Sequence, residues 1–285
     1  MDSFEFYKAA LQWHLDCDAA FPMLDHPVGL YDAVLEPLSP LSSPLEKQEH
    51  REQTALKPIT TLSSPLKPTN EWIEQAKNLA IGALDLDDLK EKLLHFDGIG
   101  LKQTARHCIF GNGHTDSPDL MIIGDRPHDQ DERTGQAFSG LDGQFIDQAL
   151  KSLKFSRDPD IIATGTKTVY SSFIVNWRPP GNQDPSDNEC ALSLPFIHRH
   201  IALIKPKRIL ICGRIAARLL LSKDMTLTKW RENWFSYEYD SVRIPVRVTH
   251  TPLHLLEMPA CKRDFWIDMV KICYAHTPSP QKIKN

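Results

Sequence analysis

From residue 118 onward the chain alternates short β-type runs with amphipathic segments of helical period, and that alternation narrows it to one fold class. DLMIIGD (119–125), KTVYSSFIV (167–175), PKRILICG (206–213) and VRIPVRVT (242–249) read as strands. GQFIDQALKSL (143–153), the stretch from about Ser186 to Ile204, RIAARLLLS (214–222) and ACKRDFWIDMVKICYAH (260–276) read as helices. Strands separated by helices imply a mostly parallel sheet covered on both faces. The expected architecture is therefore α/β, three layers α/β/α with a central, mostly parallel four-stranded sheet. In such sheets ligands bind at the carboxyl ends of the strands.

The first 70 residues have a different character. Residues 3–20 carry Phe4, Tyr7, Leu11 and Leu15 at helical spacing, which suggests an N-terminal helical segment within 1–32. Residues 33–70 hold six prolines among Ser, Thr and charged residues, the composition of an extended or disordered linker. A helix is expected to start at Asn70, another over LDDLKEKLLHF (86–96), and the compact domain to run over 71–276 before a polar tail, 277–285. The six cysteines form no C-x-x-C pair, so they read as reduced thiols. With no signal-like N-terminus and no apolar run of about 18 residues, the expectation is a cytoplasmic protein with no membrane contact, and a monomer. A net charge of −4 argues against a large nucleic-acid footprint and leaves room for a small local one.

Four segments follow the strands. GDRPHDQDERTGQAFSGLDGQFID (124–147) concentrates Asp125, Asp129, Asp131 and Glu132 near Phe138. Carboxylates there could activate water, and the aromatic could stack a flat ring; a solvated acidic turn with a core Phe explains the same residues. NWRPPGNQDP (176–185) is a rigid turn, and GRIAARLLL (213–221) begins like a strand–Gly–helix junction whose N–H groups could face an anion. THTPLHLL (249–256) sets His250, Thr251 and His254 around Pro252.

Taken together and in order, these segments resemble the iron–sulfur class, family four, of uracil-DNA glycosylases. The run GEAPG-x-x-ED-x-x-G-x-PF-x-G-x-x-GQ-L-D of that family is similar to 124–147, its RPPGN turn is matched by Arg178–Asn182, and its helix–strand–helix segment resembles 195–221. TPLHLLEMPACKRDFW (251–266) is similar to its HP-x-YLL…P-x-x-KR-x-x-W ending, and HFDGIGLKQTARHCIFGNGHTDSPDLMIIG (95–124) to its lead-in. The resemblance spans about residues 90–275.

It implies a base-excision repair fold that takes DNA as partner and holds a flipped uracil between strand ends. It further implies stacking on Phe138, a water activated by the first-motif acid, and an amide and a His on the uracil edge. Carried over residue by residue, the first-motif Glu is Asp125, the strand-two Asn is Phe173, and the His of the HP pair is Thr251. The candidate catalytic residues are thus Asp125, Thr251 and the adjacent His250. Gly124, Asp131, Phe138, Phe173 and Asn176 are candidates for the base, and Arg178, Asn182, Arg214 and His254 for DNA contact. Asn176 is an odd offset from Phe173, which places it on the other strand face. The family's four cluster cysteines fall near Phe96, Ile99, Trp177 and Ser193, so no iron–sulfur cluster, other cofactor or metal is expected.

Two readings stay open at this level: a glycosylase acting on uracil or another damaged base, and a catalytically degenerate paralogue that binds DNA. For the latter, His198, Arg199, His200, Lys205, Lys207 and Arg208 could contact phosphates. A third possibility is that residues 1–68 recruit a repair or replication protein.

Overall fold

The structure, a computed structural model, describes residues 70–161, 165–240 and 242–274. The expected N-terminal segment, the linker up to residue 69 and the tail lie outside the described residues.

The domain opens with α1 (Asn70–Ile81) and α2 (Leu86–His95). Asp85 caps α2 by accepting from the Asp88 N–H at 2.9 Å, which satisfies one of the donors a helix start leaves open. The four expected strands form the parallel centre of the sheet, in the order β4 (Lys167–Phe173), β2 (Leu120–Gly124), β5 (Ile209–Cys212), β7 (Val242–Thr249).

The sheet is larger than the four strands expected. β1 (Asn112–Gly113) pairs antiparallel with β4, β6 (Phe235–Tyr239) pairs antiparallel with β7, and β3 (Phe155–Ser156) adds to β4, giving seven strands. Two-residue strands such as β1 and β3 have no period to read, and β6 is joined to β7 by a tight turn at Asp240, as antiparallel neighbours permit.

Helices α5 (Asp187–Ile204) and α6 (Arg214–Leu221) join α1 and α2 on one face, over Met121, Ile123, Ile209, Ile211 and Val248. Helices α4 (Leu141–Ser152) and α9 (Lys262–Tyr274) cover the other, over Leu120, Ile122 and Leu210. The alternation of 120 and 122 to one face and 121 and 123 to the other is the period of two expected of a strand buried on both sides. Short helices α3 (Asp129–Thr134), α7 (Leu227–Glu232) and α8 (Pro252–Glu257) complete the set among the described residues.

One buried ion cluster ties β7 to α9. Asp268 and Arg247, each 1% exposed, pair at 2.7 Å, and Asp268 also accepts from Arg231 at 2.6 Å and from the Thr249 hydroxyl at 3.0 Å. It fixes the strand immediately before His250.

Candidate active site

Phe173, Gly124, Cys212 and Thr249 stand in register across the carboxyl ends of β4, β2, β5 and β7. The four segments singled out in the sequence leave the sheet from this row, and hydrogen bonds join them. Arg126 donates to the Asn182 carbonyl at 2.6 Å, and Arg178 reaches Glu132 at 2.8 Å and Asp129 at 3.3 Å. The Gly213 N–H donates to the Thr249 carbonyl at 3.2 Å.

Phe138 is brought to this row by strict backbone constraints. Its φ is +53°, in the left-handed region that a bulky residue enters at a cost of about 1–3 kcal/mol. Arg157 holds it there by donating to the carbonyls of Ala137 at 2.8 Å and Phe138 at 3.0 Å, while pairing with Asp147 at 2.8 Å. Gly143 approaches so closely that a Cβ would collide with the Phe138 carbonyl. The Phe138 ring then lies against Phe173, with centroids 4.6 Å apart at 38°. Both rings are buried, at 3% and 1% exposure. A Cβ on Gly124 would stand 2.7 Å from the Phe173 ring and 2.8 Å from that of Phe138. The Phe138 ring is thus covered by a phenyl ring and a glycine. A cleft of about 950 Å³ lined by Asn112, Asp147, Lys151 and Arg157 includes none of these three residues.

Asp125 follows the last residue of β2, in a bend, and reaches the start of α6. Its carboxylate accepts from the Ala216 N–H at 2.7 Å, at the start of α6, where the helix dipole favours negative charge. A Cβ on Gly213 would collide with this carboxylate, and the φ of +129° there suits glycine. Burial pushes the Asp125 carboxyl up to about 6, against the pull of the Ala216 and Ile215 N–H groups.

The other candidates also have local partners. Asp131, 1% exposed, accepts from the N–H groups of His128 at 2.7 Å and Ser139 at 2.8 Å, closing the loop around α3; burial pushes it up to about 6. Asn176, buried in the bend after β4, donates to the Ile109 carbonyl at 3.0 Å. Thr251 caps α8, its hydroxyl accepting from the His254 N–H at 3.4 Å. His250 is partly buried, yet both of its ring nitrogens are out of solvent with no hydrogen-bond partner. Burial, with Arg231 and His254 acting in the same direction, lowers its proton affinity. Asn182 accepts from Arg178 at 3.0 Å, Arg214 is 65% exposed at the start of α6, and His254 Nε2 lies 3.9 Å from Cys261 Sγ.

The basic stretch proposed for phosphates does not form a patch. His200 is buried against Phe110 and Tyr170, His198 stacks on Tyr239, Arg199 donates to the Ala83 carbonyl, and Arg208 donates to the carbonyls of Ile272 and Cys273. Residues 205–208 precede β5, so they lie at the amino end of the sheet, away from the row described above.

The positions that correspond to cluster cysteines do not fit an iron–sulfur centre. Phe96, Ile99 and Trp177 pack in the apolar core on the α5 face, and Ser193 is buried with them. The thiols of Cys108 and Cys190 are pushed up to about 12 by burial, which keeps them protonated and poor ligands. Sequence reasoning missed Arg157 and Asp147 as supports of Phe138. Gly143, in the family-like run 124–147, was legible as one of the kept residues that preserve the loop and the stacking face.

Residues 110–270 match the family model described as the uracil DNA glycosylase superfamily. The chain is similar to the type-4 uracil-DNA glycosylase of Sulfurisphaera tokodaii, 26% identical over 191 residues, covering 66% of this chain and 83% of that protein. It is similar to the type-4 enzyme of Pyrobaculum aerophilum, 26% identical, with 65% and 92% covered, and to that of Thermotoga maritima, 27% identical, with 52% and 72% covered.

Proposed function

The chain belongs to the uracil DNA glycosylase superfamily, and from that premise we propose that it is a DNA-repair protein that binds DNA without excising uracil. The observation that carries this reading is the Phe138–Phe173 contact at 4.6 Å. Excision requires the flipped base to lie on an aromatic face and to meet polar groups at its edge. Here the face is covered, and the residue in the place of the family's amide is a phenyl that offers no donor or acceptor. A site built for hydrogen bonds discriminates strongly; one lacking them gives the uracil edge nothing to replace its water.

DNA contact in this reading is local. Exposed Arg214 and the arginine-bearing loops after β2 and β4 lie at the carboxyl ends of the strands, where α/β sheets hold ligands. Contact with two or three phosphates gives a slope of about −2 to −3 in log K against log salt. The retained carboxylate at Asp125, held near pH 6, favours the competing reading of excision by a displaced site.

Fluorescence anisotropy on single- and double-stranded oligonucleotides over a salt series, with a gel assay for abasic sites on the uracil-containing versions, separates the two. Salt-dependent binding with no abasic product at protein excess is expected. Abasic product would restore the enzyme reading, and binding that is absent or indifferent to salt would remove the DNA-binding one.

A further inference from the structure

We propose that His250, His254 and Cys261 form a site for a divalent transition metal of the zinc class. His250 follows the last residue of β7, His254 lies in the first turn of α8, and Cys261 ends the turn Pro259–Cys261 before α9. The chain folds back across α8, so that one ligand atom from each residue lies within 4.8 Å of the others. Cys261 Sγ is 3.9 Å from His254 Nε2, and the two imidazoles are nearly parallel, 5.3 Å between centroids at 17°. A tetrahedral zinc ion, with Zn–N near 2.0 Å and Zn–S near 2.3 Å, sets its nitrogen and sulfur donors about 3.5 Å apart. The spacing of the donor atoms is within reach of this triangle, and an imidazole binds metal in its ring plane, so on binding one of the two stacked rings turns about its side-chain bonds to aim its nitrogen at the ion.

A second observation points to a ligand. Both ring nitrogens of His250 are out of solvent without a hydrogen-bond partner, an arrangement folded proteins avoid. A metal ion would take the lone pair of the unprotonated nitrogen. Two imidazoles and a thiolate select zinc, or cobalt in its place, over magnesium or calcium. The site is separate from the positions of the family's cluster cysteines: Cys261 packs against the core on the α9 face, whereas Phe96, Ile99 and Trp177 belong to the core on the α5 face. Three protein ligands leave one tetrahedral position for water or another donor, and the ion would staple the end of β7 to the start of α9. On binding, the Cys261 thiol gives its proton to the buffer and its sulfur bonds the metal as thiolate, releasing one proton per ion.

The full chain, stripped with a chelator, would be titrated with Co²⁺ and then Zn²⁺. One Co²⁺ per chain, with tetrahedral visible absorption and a thiolate charge-transfer band, is expected, and Zn²⁺ should displace it. Cys261→Ser should abolish the charge-transfer band and His254→Gln should weaken binding about 100-fold or more, while Cys108→Ser should change neither. Independently of the variants, Zn²⁺ should slow alkylation of Cys261 in the wild-type chain at least tenfold, read by peptide mass mapping. Absence of stoichiometric binding, a charge-transfer band that survives Cys261→Ser, or alkylation of Cys261 indifferent to Zn²⁺ would each overturn the assignment.

Discussion

Replacing Phe138 and Phe173 with leucine, singly and together, measures whether the two rings hold each other in place. Leucine keeps most of the buried volume, which matters because truncation of each ring to alanine would cost about 3–5 kcal/mol and the pair would approach the whole stability of a domain. Each single leucine variant should lose about 1–2 kcal/mol, from reduced burial and imperfect filling of the space. The contact at 4.6 Å and 38° is a tilted aromatic pair, worth about 0.5–1.5 kcal/mol beyond area. Either single substitution removes that pair term, so the double variant should be less destabilised than the sum by the same amount. The left-handed φ at Phe138 is borne by leucine as well and cancels in the cycle. Urea denaturation with linear extrapolation reads all four proteins, with m expected to stay constant. Additivity within about 0.3 kcal/mol would refute the contact.

Two further perturbations follow from buried carboxylates. Asp125 takes up its proton near pH 6 when folded but near 3.8 when unfolded, so its contribution to stability is full below pH 3.8 and is lost as pH rises through 6. That difference is worth at most about 3 kcal/mol. Asp125→Asn, which can still accept from Ala216, should therefore raise the urea midpoint at pH 7.5 and leave it unchanged at pH 4, and a uniform loss at both would contradict the burial argument. Asp268→Ala leaves Arg247, 1% exposed, without its carboxylate, and should cost about 3–5 kcal/mol. A loss under about 1 kcal/mol in the same assay would show that the cluster does not lock β7 to α9.

The fold was legible because its signals are local. Apolar runs such as LMIIG and ILIC, and the capped helix beginning after Ser186, carry their structure within a few residues. β6 was passed over although Phe235, Tyr237 and Tyr239 alternate with Ser236 and Glu238, a readable period of two. For the site, the four strand ends followed from the apolar runs, and the phenyl at Phe173 from the family resemblance by counting back from the RPPGN turn. The direction of Asp125 was not legible, because it sits in the bend after β2, where the period of two has ended. What could not be read is contact at distance: Arg157 reaches back 19 residues to the Phe138 carbonyl, and Cys261 meets His254 only because the chain turns at Pro259. The glycosylase motif likewise shows which residues are kept, not that the retained aromatic is covered.

Saturation-transfer NMR of free uracil against the full chain tests the closed slot most directly, since it needs neither DNA binding nor chemistry. The ring packing at 4.6 Å predicts no transfer to uracil at millimolar concentration. Transfer that saturates with uracil and vanishes in Phe138→Ala would show that the Phe173 ring swings away and that a base can enter.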